Sequence, residues 1–354
     1  MKLNKHDLLL VIFFVFFIKL FAYIFIVYSH VQLFGGSNDS DYYHSYALGY
    51  QSTAPNAWPV FLRFLAEHGI YDRRLVSFKL FLLSAVIVPH IVGRLGQIKG
   101  APNSRLVYLC LFLIVSSYIQ LFYLSIDIYR DVVMVFLFLL GLSVFKGLSS
   151  PISACRKIAL YTFGICFVFV LYKFRPYLGF GYGVALLLSR IYSFKKFSLS
   201  LSIISLLVIL QALYCLGYID PLLEYRSSFN TVMEGGSNLG VTFSEDTIFL
   251  MDFLKSFFYQ VLGVNFINLP AVFAFFLESL PFIFCLYYLI KNRRYSDRFV
   301  DFMIVFSIAY SVVWLLGNDN LGTAARLRIF NYISVYICCA IVWQRKCFSM
   351  GLKK

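Results

Sequence analysis

Leu8-Leu9-Leu10-Val11-Ile12-Phe13-Phe14-Val15-Phe16-Phe17-Ile18, a single Lys19, then Leu20-Phe21-Ala22-Tyr23-Ile24-Phe25-Ile26-Val27-Tyr28 opens the chain with almost no polar break. A helix needs about 20 predominantly apolar residues to cross a bilayer, and residues 8–29 supply them. The run is too long for the apolar part of a signal peptide and lacks a small-residue cleavage site, so it reads as a retained membrane helix. The same pattern recurs in segments 75–93, 106–126, 131–147, 158–173, 176–192, 199–218, 268–290, 299–317 and 329–344. The expected fold is all-α: a polytopic integral membrane helical bundle of about ten spans, forming a single transmembrane domain over residues 1–354.

Composition points the same way. Of the 354 residues, 60% are apolar, 19% aromatic and only 14% charged, against about 25% charged in a soluble domain. That excludes an ordinary soluble enzyme, a disordered chain and a small disulfide scaffold. The 31 Lys and Arg exceed the 17 Asp and Glu by 14. No dense basic tract occurs, so the excess fits cationic loops at the cytoplasmic side rather than a nucleic-acid partner. The eight cysteines show no metal-ligand or redox spacing and read as small packing residues or cytoplasmic thiols.

Orientation comes from the cations in alternate loops. Lys2 and Lys5, Arg94 to Arg105, Lys146 to Lys157, Arg190 to Lys196, Lys291 to Arg298 and Arg345 to Lys354 form the richer set, so both termini are expected in the cytoplasm. Acidic residues fall mostly on the other face: Asp39, Asp41, Glu67, Asp72, Asp127, Asp131, Asp220, Glu224, Glu234, Glu245, Asp246, Asp252 and Asp319. Chemistry is therefore expected on the outer face. Two outer loops are long, about 30–74 and 219–267. Each carries an amphipathic stretch, Trp58–Leu65 and Phe249–Phe258, expected to lie along the membrane surface as an anchor or as a roof over a cavity.

Polar clusters mark the connections on that face. Gly35-Gly36-Ser37-Asn38-Asp39-Ser40-Asp41-Tyr42-Tyr43-His44 places two carboxylates beside aromatics. They suit a general base or cation ligand with Tyr faces for a sugar ring, or plain helix capping. Asp127-Ile128-Tyr129-Arg130-Asp131 packs three charges into one short connection, with Asp131 at a helix start where an anion is favoured. Lys173-Phe174-Arg175-Pro176 holds two cations and no acid. On a face that should be poor in cations, an anion such as phosphate explains them best. Gly317-Asn318-Asp319-Asn320 reads as a turn before Arg326 and Arg328, which should point in different directions. Arg226 is a further cation in the second long loop, near a Gly235-Gly236-Ser237 tip. Lys19 and Glu278 sit mid-span and are expected to pair with each other or face a wet cavity.

Taken together, the aromatic-rich spans and the Asn320-Leu321-Gly322-Thr323-Ala324-Ala325-Arg326-Leu327-Arg328 stretch resemble the O-antigen polymerases. Asp39, Asp41 and the Arg130-Asp131 pair are also similar to the wider C-type membrane glycosyltransferases. The resemblance implies polymerisation of polyprenyl-pyrophosphate-linked oligosaccharide repeat units at the periplasmic face of a bacterial inner membrane, with inversion at the sugar carbon. It implies Asp41, Asp39 or Asp131 as catalytic carboxylate, and Arg130, Lys173, Arg175, Arg226, Arg326, Arg328, Tyr42 and Tyr43 as substrate contacts. Loop 219–267 departs from the family by carrying only Arg226 and Lys255 rather than an Arg-rich motif. No cofactor is required if Arg supplies the positive charge, while an Asp41–Asp131 divalent-cation site stays open as an alternative. Expected partners are the lipid-linked oligosaccharide, membrane lipid, a chain-length regulator and a flippase. The rival readings are a C-type transferase using polyprenyl-phosphate sugar and a flippase or exporter of lipid-linked saccharide.

Overall fold

The computed structural model describes residues 5–29, 38–101, 103–149, 153–232, 238–243, 248–266 and 268–351. Gly35 to Ser37, Glu234 and the Gly235-Gly236-Ser237 tip, and Glu245 and Asp246 lie outside the described residues. Every regular element among those described is helical. In chain order they are α1 (Lys5–Ser29), α2 (Asn38–Ala47), α3 (Ala57–Glu67), α4 (Arg73–Gly96), α5 (Ser104–Ser116), α6 (Ile119–Tyr123), α7 (Asp131–Leu148), α8 (Ala154–Phe174) and α9 (Pro176–Leu188). Beyond these come α10 (Leu199–Cys215), α11 (Asp220–Val232), α12 (Phe249–Ser256), α13 (Leu269–Lys291), α14 (Arg298–Gly317), α15 (Leu321–Leu327) and α16 (Ile329–Ser349).

The chain is an all-helical, multi-pass membrane protein. Among the described residues seven stretches are long and apolar enough to cross a bilayer, namely α1, α4, α7, α8, α13, α14 and Leu321–Ser349; α10 with the start of α11 makes an eighth if that pair, bent by 79°, is one span. These account for eight of the ten expected segments. The remaining two candidates, 106–126 and 176–192, are the 13-residue helices α5 and α9. At 1.5 Å per residue each covers about 20 Å, short of a hydrocarbon core of about 30 Å. Ser116-Ser117-Tyr118 ends α5 early, and Ser189-Arg190 lies just past the end of α9.

The chain packs as two compact units, unit 1 of Met1–Gly179 with Met350–Lys354 and unit 2 of Phe180–Ser349. In unit 1, α1 packs on α5, the C-terminal half of α4 on α5, and α7 on α8. Tyr23 stacks on Phe81 at 4.8 Å between ring centres, with Phe16 and Phe122 against the same cluster. Lys19 sits over the Phe122 ring at 5.2 Å, and so a mid-span cation meets a π face. In unit 2, α14 and α16 form the interior, where Phe306, Tyr310, Trp314, Phe330, Tyr332 and Tyr336 are almost wholly buried.

Three helical segments contain a π turn, Leu83–Ile87 in α4, Phe257–Val261 after α12 and Phe275–Ser279 within α13. A π turn inserts one residue into the helical ladder and rotates the residues after it. Here the two turns of unit 2 carry Gln260, Glu278 and Ser279, all buried. They bury polar side chains that a continuous apolar helix would not.

Candidate functional site

Three polar assemblies lie at helix ends, two in unit 1 and one in unit 2, together with a buried ion pair in unit 2.

The first begins with α2. Asp39 and Asp41 fall in its first turn, where the helix dipole favours an anion. Arg73, the first residue of α4, donates from Nη2 to Asp41 at 2.8 Å, and forks onto Asp127 through Nε at 2.9 Å and Nη2 at 2.5 Å. Two carboxylates thus share one guanidinium. The Asp41 side chain is 52% exposed and that of Asp127 24%, so Asp41 is the member open to solvent. Beside them His44 Nδ1 meets the Tyr71 hydroxyl at 2.8 Å. Burial, then the Arg73 charge, holds the His44 imidazole below its ordinary value. Burial pushes the Tyr71 phenol up to about 12.

The second assembly joins three segments. Asp131 opens α7 and is 3% exposed; Arg175, 5% exposed, lies 3.5 Å from it. The placement has a local cause. Arg175 precedes Pro176, which disfavours helical geometry in the residue before it. Arg175 accordingly is extended (φ −158°, ψ 111°), ends α8, and α9 restarts at Pro176. Gly179 permits the tight return, because a Cβ there would meet the Tyr172 backbone at 2.5 Å. Arg130 donates to the Phe174 carbonyl at 3.1 Å, fastening the 127–131 turn to the 174–175 turn. Tyr43 of α2 joins them: it is buried, and its phenol is raised by burial, with Arg130 opposing and Asp39 and Asp131 adding. Asn56 caps α3 by accepting from Trp58 N at 3.0 Å and reaches the Tyr43 hydroxyl at 3.4 Å. Trp58 Nε1 in turn donates to Ile128 O at 2.7 Å, which ties α3 to the same turn.

Unit 1 therefore brings Asp39, Asp41, Tyr43, Arg130, Asp131 and Arg175 to one region. Tyr42 is half-buried and donates to the Thr53 carbonyl at 2.7 Å, and Lys173 is exposed. The amphipathic stretch at 58–65 is α3, with Trp58 and Leu62 buried and Val60, Phe61 and Phe64 exposed.

Unit 2 holds the other cations. Arg226 is 2% exposed and donates to the carbonyls of Val241 (2.7 Å), Leu315 (2.7 Å) and Asn318 (2.6 Å), and to Asp319. Asp319, fully buried, also accepts from the amides of Gly240 (2.9 Å) and Val241 (3.2 Å). This network splices segment 238–241 to the 318–320 turn, where Asn238 also bridges Asn320. Arg328 is buried, 3.5 Å from Glu278, so this mid-span carboxylate has a cation of its own unit beside it. The Tyr332 ring lies 5.4 Å from the Arg328 guanidinium. Gly263, with φ +66°, leaves room for it: a Cβ there would overlap the guanidinium. Arg326 is half-buried on α15.

Arg130, Asp131 and Arg175 stand out in the sequence as charges in short connections between apolar runs, whereas Arg73, His44, Asn56 and Tyr71 do not. Arg73 beside Asp72 has the look of a helix-start pair, and nothing local indicates its reach of 54 residues to Asp127. Among the described residues no group of three or more His, Cys, Asp or Glu is arranged to hold a metal ion.

No protein-family model, no curated protein and no solved structure matches this chain.

Proposed function

We propose that the protein is a membrane glycosyltransferase that polymerises polyprenyl-pyrophosphate-linked oligosaccharide repeat units, with unit 1 carrying the reacting groups. The observation that supports this reading is the gathering of Asp39, Asp41, Asp131, Arg130 and Arg175 from three distant segments at one end of a membrane-helix unit. Buried charges of both signs at such a place are costly unless they serve a substrate or each other. In this reading the termini face the cytoplasm and the cluster faces the periplasm, where a sugar donor must arrive on a lipid.

The reaction is a single displacement. Asp41 takes the proton of the acceptor hydroxyl. The oxygen forms a bond to the anomeric carbon of the donor sugar as the bond to pyrophosphate breaks, its electron pair leaving on the phosphate oxygen. Arg130 and Arg175, with Lys173 at the same turn, hold the developing negative charge. Arg73 keeps Asp127 when Asp41 takes the proton. Asp131 orients Arg175, and Asn56 with Tyr43 holds the floor. Arg226 has a structural role, since its donors bind backbone carbonyls and Asp319.

Asp41→Asn and Arg175→Ala are expected to leave the protein in the membrane and abolish long polysaccharide chains in a host that depends on it. Wild-type chain length in the Asp41→Asn strain refutes the general-base role. Full activity in Arg175→Lys refutes recognition by a planar fork and leaves charge alone as the requirement.

A further inference from the structure

We propose that unit 1 carries a second, separate site that binds the phosphate of an anionic phospholipid, built on Arg94 and His90 at the far end of α4. Arg73 and Arg94 are 21 residues apart on one helix. At 1.5 Å per residue that is about 30 Å, the thickness of a hydrocarbon core. The site therefore lies at the membrane face opposite the Asp41–Arg73–Asp127 cluster and does not depend on the glycosyltransferase reading.

An open groove of ≈ 360 Å³ lies there between α4 and α7, lined by His90, Arg94, Ser143 and Lys146 among others, and no carboxylate lines it. Small-molecule sites begin near about 300 Å³, so the volume suits a phosphate headgroup. Lys146 Nζ donates to the carbonyls of Arg94 (3.2 Å), Leu95 (2.7 Å) and Gln97 (3.1 Å). It offsets the negative end of the helix dipole, which would otherwise repel an anion. The exposed Arg94 guanidinium is then the fork for phosphate oxygens. His90 Nδ1 is fixed on the Tyr108 hydroxyl at 2.8 Å, which leaves Nε2 as its second polar atom. Ser143 turns its hydroxyl to the Leu139 carbonyl at 2.8 Å and forms a wall rather than a donor.

Two sources could present a phosphate here, a lipid headgroup and a soluble ion. Val86 and Ile87, just before this end of α4, are exposed at 39% and 43%. Exposed apolar residues on the same helix put acyl chains within reach of the headgroup site, which a soluble ion does not need. Basic pockets between membrane helices on the cytoplasmic side are a recurrent way to hold anionic lipid.

The test uses the full chain in detergent micelles, with phosphatidylglycerol, phosphatidylcholine and inorganic phosphate as probes, read by native mass spectrometry and by thermal shift. Arg94→Gln is expected to weaken phosphatidylglycerol retention at least about fivefold. Lys99→Gln, an equal charge change at an exposed loop position, is expected to leave it unchanged. Lys146→Gln is avoided, because it also uncaps α4. Equal retention of phosphatidylcholine, or equal loss in Arg94→Gln and Lys99→Gln, overturns the site. Inorganic phosphate binding as tightly as phosphatidylglycerol, with the same dependence on Arg94, overturns the lipid assignment.

Discussion

Replacing Asp319 by Asn tests whether Arg226 is a strut or a substrate ligand. Arg226 and Asp319 are 2% and 0% exposed as side chains, so neither charge is relieved by water. Loss of one partner from a buried ion pair costs about 3–5 kcal/mol, because the other charge stays behind unpaired. Asp319→Asn keeps the shape and one acceptor for the Gly240 or Val241 amide, so a loss of about 3 kcal/mol is expected, at the low end of that range. Arg226→Met removes every donor to Val241 O, Leu315 O and Asn318 O and strands the carboxylate. Each orphaned acceptor adds about 1–3 kcal/mol, so this variant is expected to be the worse of the two, at about 6 kcal/mol or more. The double variant Arg226→Met/Asp319→Asn carries no stranded charge and is expected to recover at least about 2 kcal/mol relative to the sum of the singles. Denaturant titration in micelles, read by tryptophan fluorescence, measures all three. Single-variant losses below about 1 kcal/mol, or additivity in the double, would refute the strut.

Unit 1 and the Arg328 seat carry further consequences. His44 is held below its ordinary value of 6.5 by burial and by Arg73. The unfolded chain takes up a proton near that value while the folded chain resists it, so stability falls as pH drops below 6.5 toward the lowered folded value. His44→Gln is expected to flatten that slope in thermal midpoints measured between about pH 7.5 and about pH 5; an unchanged slope places the titration elsewhere. Gly263→Ala forces a positive φ on a side chain and drives its Cβ into Arg328 and Ser279. A loss of about 2–4 kcal/mol is expected by the same titration, and one under about 0.5 kcal/mol means Arg328 is not seated there. Asn56→Ala is expected to cost about 1 kcal/mol through the lost α3 cap, together with a larger loss of activity through Tyr43. Equal activity per folded molecule would detach Asn56 from the site.

Much of the fold is written locally. α1, α4, α7, α8, α13, α14 and α16 each arise from a long apolar run, because burial in lipid needs no knowledge of distant residues. Where hydropathy misleads, a small local feature overrides the average. Two serines cut α5 short. At Gly217, with φ +74°, the 199–218 segment turns instead of continuing. The π turns are invisible in sequence, since one inserted hydrogen-bond register leaves no mark on hydropathy. The candidate site is legible by residue type and not by partner. Arg130, Asp131 and Arg175 stand out as charges in unexpected places, and the proline after Arg175 even explains its backbone. That Arg73 would join Asp41 and Asp127, or that Glu278 would meet Arg328, depends on packing across 32 to 54 residues of sequence. The same holds for Arg226, whose acceptors lie 15 to 93 residues away in the sequence.

Whether unit 1 is a polymerase site is decided by turnover of the purified protein in proteoliposomes given matched synthetic donors, one carrying its oligosaccharide on polyprenyl pyrophosphate and the other a sugar on polyprenyl monophosphate. Release of polyprenyl pyrophosphate with chain extension is expected from the first donor only, and is abolished in both Arg175→Ala and Asp41→Asn. Turnover confined to the monophosphate donor, or none with either, would contradict the assignment.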